Sequence, residues 1–451
     1  MNRYNLFINP NILLTALICA SLLGCTYSRS RYYEDQFISI EQSPLDINHE
    51  VKAYLRAPIS ALFIGVSNYD REAGVQPTMA PTISASIMFS FLRELNRSKD
   101  SSIDLVADLR AHPIKDSPML LDFHGAFLDR DIINSYYPGR SKLNEDGTFS
   151  YVGKGKPVTK ERIMNSLETT LTSYKNFVTS NDQEMVLFIY ISAHGTIADE
   201  NLYIIPSNGR IDDPETLLTY REVLSEIYET QASLIFDEKL TAEPHVIVII
   251  DACQNYMNGN SGENHDEAVT LPAPTPDTSV LLSSSPGQYA FHWKNNRRIV
   301  DSTITKDRQI YHDNNDHDSK EYIHDFDTSI STIPVATISG INQTFEQYEK
   351  NIGFWNDAKA VLLEKKKSSH PMEFMFHLSR FHIEYRETFI KLNPENGQFF
   401  ISKYNFLKII EEATKDFTDQ ISQDAPIDII QTTTRFENPL SVDTDFIIIE
   451  N

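Results

Sequence analysis

Two stretches of this chain stay apolar, without a break, for the length of a strand. Residues 246–250 read Val-Ile-Val-Ile-Ile, and residues 186–191 read Val-Leu-Phe-Ile-Tyr-Ile. Neither alternates, so both faces are expected to be buried, as in a parallel sheet covered on both sides. Residues 58–66 (with Ala-Leu-Phe-Ile-Gly-Val at their end) and 279–283 (Ser-Val-Leu-Leu-Ser) read as two further strands, and 103–107 as another. Between them the spacing turns helical. Ile83, Ile87, Met88, Phe91 and Leu92 recur on one face of 82–95; Thr159 caps a helix over 162–177; a third helix is expected over 214–235. Strand and helix alternating in this order predict an α/β fold, with a mostly parallel central sheet flanked by helices on both faces.

The pattern weakens elsewhere. Residues 109–157 are irregular and hold Pro-Gly and Gly-Lys turns. Residues 200–206 read as a short strand or turn. Residues 254–277 are rich in Asn, Gly, Pro and acids and read as a long loop, and 294–330 as a polar inserted segment. Helices are predicted over 345–363, 373–392 and 404–417, and a last strand over 446–449. There is no internal repeat.

The first 25 residues form a different kind of segment. Arg3 precedes an apolar run over 12–23 that is short for a transmembrane span. It ends Leu22-Leu23-Gly24-Cys25, which resembles the lipobox of bacterial lipoproteins. That resemblance implies cleavage before Cys25, acylation of its thiol, and an exported protein held by lipid in a bacterial cell envelope, periplasmic or at the surface. An ordinary signal peptide or an uncleaved anchor is the alternative. Residues 26–57 then read as a polar tether, and 58–450 as the folded part. Of three cysteines, Cys19 would be lost and Cys25 lipidated, leaving Cys253 as the one free thiol. A net charge of −23 argues against nucleic acid or an anionic membrane surface as the main partner.

The two strongest strands both end in chemistry. One delivers Ser192-Ala-His194-Gly195, the other Asp251-Ala-Cys253-Gln254. Sites in open α/β sheets lie at the carboxyl ends of strands. An imidazole beside a thiol there is the minimum for a cysteine nucleophile: His194 takes the proton, and Cys253 attacks a carbonyl. The backbone N–H groups of Gly195 and Cys253 are natural donors for the oxyanion. No zinc-ligand spacing or phosphate-binding glycine loop is present. The acidic run 313–318 lacks the glycine and distal glutamate of an EF-hand loop and reads as a solvated loop.

These motifs resemble the caspase-like cysteine peptidases, the superfamily of caspases, metacaspases and paracaspases. The likeness extends to Ala61-Leu-Phe-Ile-Gly-Val-Ser-Asn-Tyr69, to Leu281-Leu-Ser-Ser-Ser-Pro-Gly-Gln-Tyr-Ala290, and to the C-terminal helix, Gln431 and residues 445–449. It implies a caspase-like fold over 58–450 with insertions near 109–157 and 294–370: a large-subunit-like part to residue 253, a linker over 254–278, and a small-subunit-like part beyond. It implies a cysteine endopeptidase with a protein substrate and no resident cofactor, although some metacaspases respond to calcium. In the family, the residue two before the catalytic cysteine lines the pocket for the side chain preceding the cut. Asp there, as in metacaspases, accompanies a preference for Arg or Lys; Asp251 and Ser192 match that pocket. Ser84 stands where metacaspases place a second acid, which leaves Lys, Arg and neutral residues open. A caspase-like fold without activity, serving as an interaction module in the envelope, is the rival reading.

Overall fold

The computed structural model describes residues 52–97, 157–236, 245–256, 271–294, 329–368, 389–437 and 443–450, apart from a few positions inside these ranges, and three short strands between 119 and 152. Strands β1 (Lys52–Leu55) and β2 (Ile59–Gly65) precede helix α1 (Ala80–Arg97). Strands β3 (Met119–Leu121), β4 (Arg140–Leu143) and β5 (Phe149–Val152) come next, then α2 (Lys160–Asn181). Strands β6 (Val186–Ser192), β7 (Gly195–Ala198), β8 (Asn201–Ile204) and β9 (Leu218–Thr219) lead to α3 (Tyr220–Phe236). After β10 (His245–Asp251) come β11 (Asn255–Tyr256), β12 (Thr278–Leu282), β13 (His292–Lys294) and β14 (Ser329–Ser331). The chain closes with α4 (Thr332–Lys350), α5 (Ile352–Ser368), β15 (Ile390–Leu392), β16 (Phe399–Ser402), α6 (Lys403–Asp424), β17 (Thr434–Glu437) and β18 (Asp445–Glu450).

Six strands make the central sheet in the order β17-β12-β10-β6-β2-β3. All its pairings are parallel except that of edge strand β17 with β12. The unbroken apolar runs are the middle of this sheet: every residue of β2, β6 and β10 is buried. Period-two geometry then splits each run between two cores. Phe188, Tyr190, Ile247 and Ile249 face a core built with α1, α4 and α6. Leu187, Ile189, Val246, Val248 and Ile250 face another, built with α2 and α3. Each buried Ile, Leu or Phe contributes about 1.5–3 kcal/mol, so the two faces together hold the sheet. At the α4–α6 crossing Gly340 lets the helices meet: a Cβ there would lie 2.5 Å from Ile409 Cγ2.

The structure moves several predicted boundaries, for local reasons. The helix expected from 214 begins at Tyr220. Pro214–Thr216 is a 3-10 turn, and the start is set by a capping box: the Glu222 N–H donates to Thr219 Oγ1 (3.0 Å), and the Thr219 N–H donates to Glu222 Oε2 (2.7 Å). Thr159 caps α2 as expected, accepting from the Arg162 N–H at 3.3 Å. The single helix expected over 345–363 is two, α4 and α5, divided at Asn351, whose side chain donates to the Gln347 carbonyl (2.9 Å). Residues 390–392, expected at a helix end, are strand β15; residues 371–388 and the strand expected over 103–107 lie outside the described residues.

A larger departure concerns the chain ends. Residues 52–55, read as the end of a tether, form β1. It pairs antiparallel with β18 in a second sheet, β1-β18-β16-β15. One face of that sheet (Ala53, Leu55, Phe399, Ile401, Ile447, Ile449) joins the α1/α4/α6 core. The final strand expected over 446–449 is therefore real but belongs to this accessory sheet, while the central sheet ends on β17, which the sequence pattern did not reveal.

Candidate active site

β6 and β10 run parallel and in register, with Ser192 opposite Asp251, and the Ala193 N–H donates to the Asp251 carbonyl (3.2 Å). Two residues further on, just past the strand ends, stand His194 after β6 and Cys253 after β10. The alternation that puts Tyr190 and Ile249 on the α1/α4/α6 face carries Ser192 and Asp251, the last residues of β6 and β10, to that same face. Both residues are buried, His194 at 3 % and Cys253 at 4 % exposure. Gly195 fits between the strands because it lacks a side chain. A Cβ there would lie 2.5 Å from the Cys253 carbonyl oxygen and 2.8 Å from Ala252 Cβ.

The His194 turn is fastened by Tyr69, just past β2. Its hydroxyl accepts from the His194 N–H (2.9 Å) and donates to the Val66 carbonyl (2.8 Å), with its ring 5.1 Å from the imidazole. The Ile205 N–H donates to the His194 carbonyl (2.9 Å). The Cys253 turn is fastened from the other side. Ser283 and Ser284 hydroxyls donate to the Ala252 carbonyl (3.2 and 3.1 Å), and the Gln254 N–H donates to the Gln288 carbonyl (2.9 Å). The buried Gln254 side-chain amide donates to the Ser284 carbonyl, and that of Gln431 to the Ser283 carbonyl (2.7 Å). Cys253 Sγ lies 3.9 Å from the Ala290 carbonyl oxygen.

Asp251, 2 % exposed, sits among hydroxyls rather than cations. Its Oδ2 accepts from Tyr190 (2.5 Å) and Ser192 (3.3 Å), and its Oδ1 accepts from Ser331 (2.6 Å). Burial first, and then the Asp251 charge, push the Tyr190 hydroxyl well above the ordinary tyrosine range, so it stays a donor. Ser331 is the N-cap of α4, which places the positive end of that helix beside the carboxylate. Ser84 of α1 accepts from the Ser331 N–H (3.0 Å). Ser84 thus occupies the neighbourhood where a second acid was sought and uses its hydroxyl to hold β14.

His194, Gly195, Cys253, Asp251, Ser192 and Ser84 therefore gather at one end of the sheet, from residues more than 160 positions apart. Cys25 and the acidic run 313–318 lie outside the described residues. Among the described residues no group of three His, Cys, Asp or Glu side chains could hold a metal, and no helix is long and apolar enough to cross a membrane. Four contributors have roles the sequence did not assign: Tyr69, Tyr190, Gln254 and Ser331. Tyr69 and Gln254 stand in the motifs quoted above, and Ser331 carried a local signal, a serine two residues before Ile-Pro at a helix start.

A parallel sheet delivering histidine and cysteine from adjacent strand ends defines an α/β protein of the cysteine-peptidase type. The family profile of the caspase domain, peptidase family C14, matches residues 60–306, and the chain belongs to that family. Its fold is caspase-like. Among solved structures it is similar to caspase-1 from Spodoptera frugiperda: 10 % identity, TM-score 0.29, covering 64 % of this chain and 71 % of that one. It is also similar to the Drosophila initiator caspase Dronc: 9 % identity, TM-score 0.26, 65 % of each chain. No curated protein sequence matches the chain.

Proposed function

We propose that this caspase-domain protein is a lipid-anchored cysteine endopeptidase of a bacterial envelope that cuts proteins after basic residues. The observation that supports the reading is the in-register pairing of β6 with β10, which sets Ser192 opposite Asp251, each two residues before His194 and Cys253. The Cys253 sulfur, its proton passed to His194, bonds to the scissile carbonyl carbon. The Gly195 and Cys253 N–H groups stabilise the oxyanion. The C–N bond then breaks as His194 returns the proton to the leaving amine. Water attacks the thioester, giving one proton to His194, and the acid product and free thiol are released. Asp251, two residues before the nucleophile, is a buried carboxylate with no cation among its hydrogen-bond partners in the described residues. A side chain that supplies positive charge there meets an acceptor already desolvated.

The test uses the chain from Thr26 onward with reporter peptides carrying Arg, Lys, Asp or Asn before the cut, with and without calcium. Cleavage after Arg or Lys that disappears in Cys253→Ala and His194→Ala supports the whole reading. Cleavage after Asp would retain the dyad and remove Asp251's role. No cleavage, with Cys253 unreactive to thiol reagents in the folded protein, would favour a non-catalytic envelope module. The anchor is tested separately: an alkyne fatty acid fed to expressing bacteria labels the full chain but not Cys25→Ala.

A further inference from the structure

The hydroxyls around Asp251 do more than keep a buried charge company, because they determine which acceptor sites remain. An ionised carboxylate offers about four lone-pair sites, two on each oxygen. On Oδ2 both are taken, by Tyr190 and Ser192; on Oδ1 one is taken, by Ser331. Among the described residues a single site remains, on Oδ1. The donors are not free to turn away. Tyr190 is fully buried in β6. Ser331 is held three ways: its hydroxyl accepts from the Ile333 N–H (3.4 Å), its own N–H donates to Ser84, and its position is fixed by α4.

Arginine and lysine ask different things of such a carboxylate. A guanidinium docks through two parallel N–H···O bonds, one to each oxygen. That geometry needs a vacant site on Oδ2 and would have to displace Tyr190 or Ser192. An ammonium is a point charge with three donors that need not converge on one group. It can take the one remaining Oδ1 site. Its other N–H groups can take lone pairs of the surrounding Ser and Tyr hydroxyls, each of which donates once and keeps acceptor capacity.

We infer that this pocket selects lysine over arginine before the cut, with Tyr190 and Ser331 as the residues that set the choice. The inference rests on the proposal that Asp251 reads a basic side chain; it adds which one, and why. Tyr190 and Ser331 are specificity residues here: they shape the acceptor set and take no part in bond breaking.

The experiment measures kcat/KM for two reporter peptides that differ only in Lys or Arg before the cut, in the wild-type chain, Tyr190→Phe and Ser331→Ala. The wild type should favour Lys by about tenfold or more, the consequence of leaving one charged hydrogen bond unmade. Tyr190→Phe vacates a site on Oδ2 and removes one hydroxyl acceptor from the lysine ammonium while keeping the ring, so the Lys-to-Arg ratio should fall several-fold, with the Arg value rising. Ser331→Ala vacates a site on Oδ1, and its ratio should fall less. Cys253 alkylation by peptidyl-lysine and peptidyl-arginine chloromethyl ketones, followed by intact mass, gives the same ranking without turnover. A wild type that prefers Arg or treats both alike overturns the inference and leaves the basic preference standing, as does a ratio unmoved by Tyr190→Phe. Reaction only with uncharged or acidic residues overturns the basic preference itself. Reaction with no peptide or ketone overturns both.

Discussion

Tyr69 and His245 are the two single residues whose surroundings make the plainest demands. Tyr69 joins the end of β2 to the His194 turn through one hydroxyl that both accepts and donates. Tyr69→Phe removes the hydrogen bonds to the His194 N–H and the Val66 carbonyl, at a cost of about 1–3 kcal/mol. We expect a melting temperature lower by a few degrees and a fall in kcat larger than any rise in KM, because the imidazole loses its fixed seat. His245 starts β10 at the opposite end of the sheet. It is buried, and among the described residues its Nδ1 has no hydrogen-bond partner. Burial first, then the nearby Lys403 and Arg56 charges, hold it down from 6.5 to about 4. A histidine whose folded pKa is depressed contributes stability that is fully present above the unfolded value. It is lost as pH falls from 6.5 toward 4, where the unfolded chain takes up a proton that the folded one refuses. The full swing is about 3 kcal/mol. His245→Leu should therefore melt higher relative to wild type at pH 5 than at pH 7, and the stability profile of the variant should be flatter across that window.

At the scale of elements, the two strands that lead to His194 and Cys253 are held close by one residue without a side chain. Gly195→Ala puts a Cβ 2.5 Å from the Cys253 carbonyl. Backbone must shift there, so activity should drop by about 100-fold or more, as a misplacement near 1 Å does, while thermal unfolding stays cooperative. These strands were legible because β-branched runs buried on both faces have few other readings, and the His-Gly and Ala-Cys pairs stood at their ends. The surroundings of Asp251 were not legible: Tyr190 lies 61 residues before it in sequence and Ser331 80 after, and no local pattern links them. Helix ends slipped where a side chain rather than the apolar period decides, as at Thr219 and Asn351. The strand β1 went unread because four residues beside a polar stretch carry too short an alternation; its partner β18 supplies the specificity.

For the whole molecule, the cross-chain pairings matter most. A nick between residues 257 and 270 would divide the chain just past Cys253. Yet the β10–β12 and β1–β18 pairs, and the core shared by α1, α4 and α6, all join the two pieces. The nicked protein should elute from size-exclusion chromatography at the intact size and separate only in denaturant. Fragments that part under native conditions would contradict the shared core.

The pairing of Lys52 with Glu450 also makes the folded body almost a ring. Its two ends lie one strand spacing apart, about 5 Å, on neighbouring strands of one sheet. The order in which the elements are synthesised is thus separable from the order in which they pack. A permuted chain, with Glu450 joined to Lys52 by a short linker and new ends opened between residues 257 and 270, would keep every strand neighbour. It would begin with β12, the strand beside β10, and finish on Cys253 and β11, so that strands paired in the sheet would stand at opposite extremes of the new polypeptide.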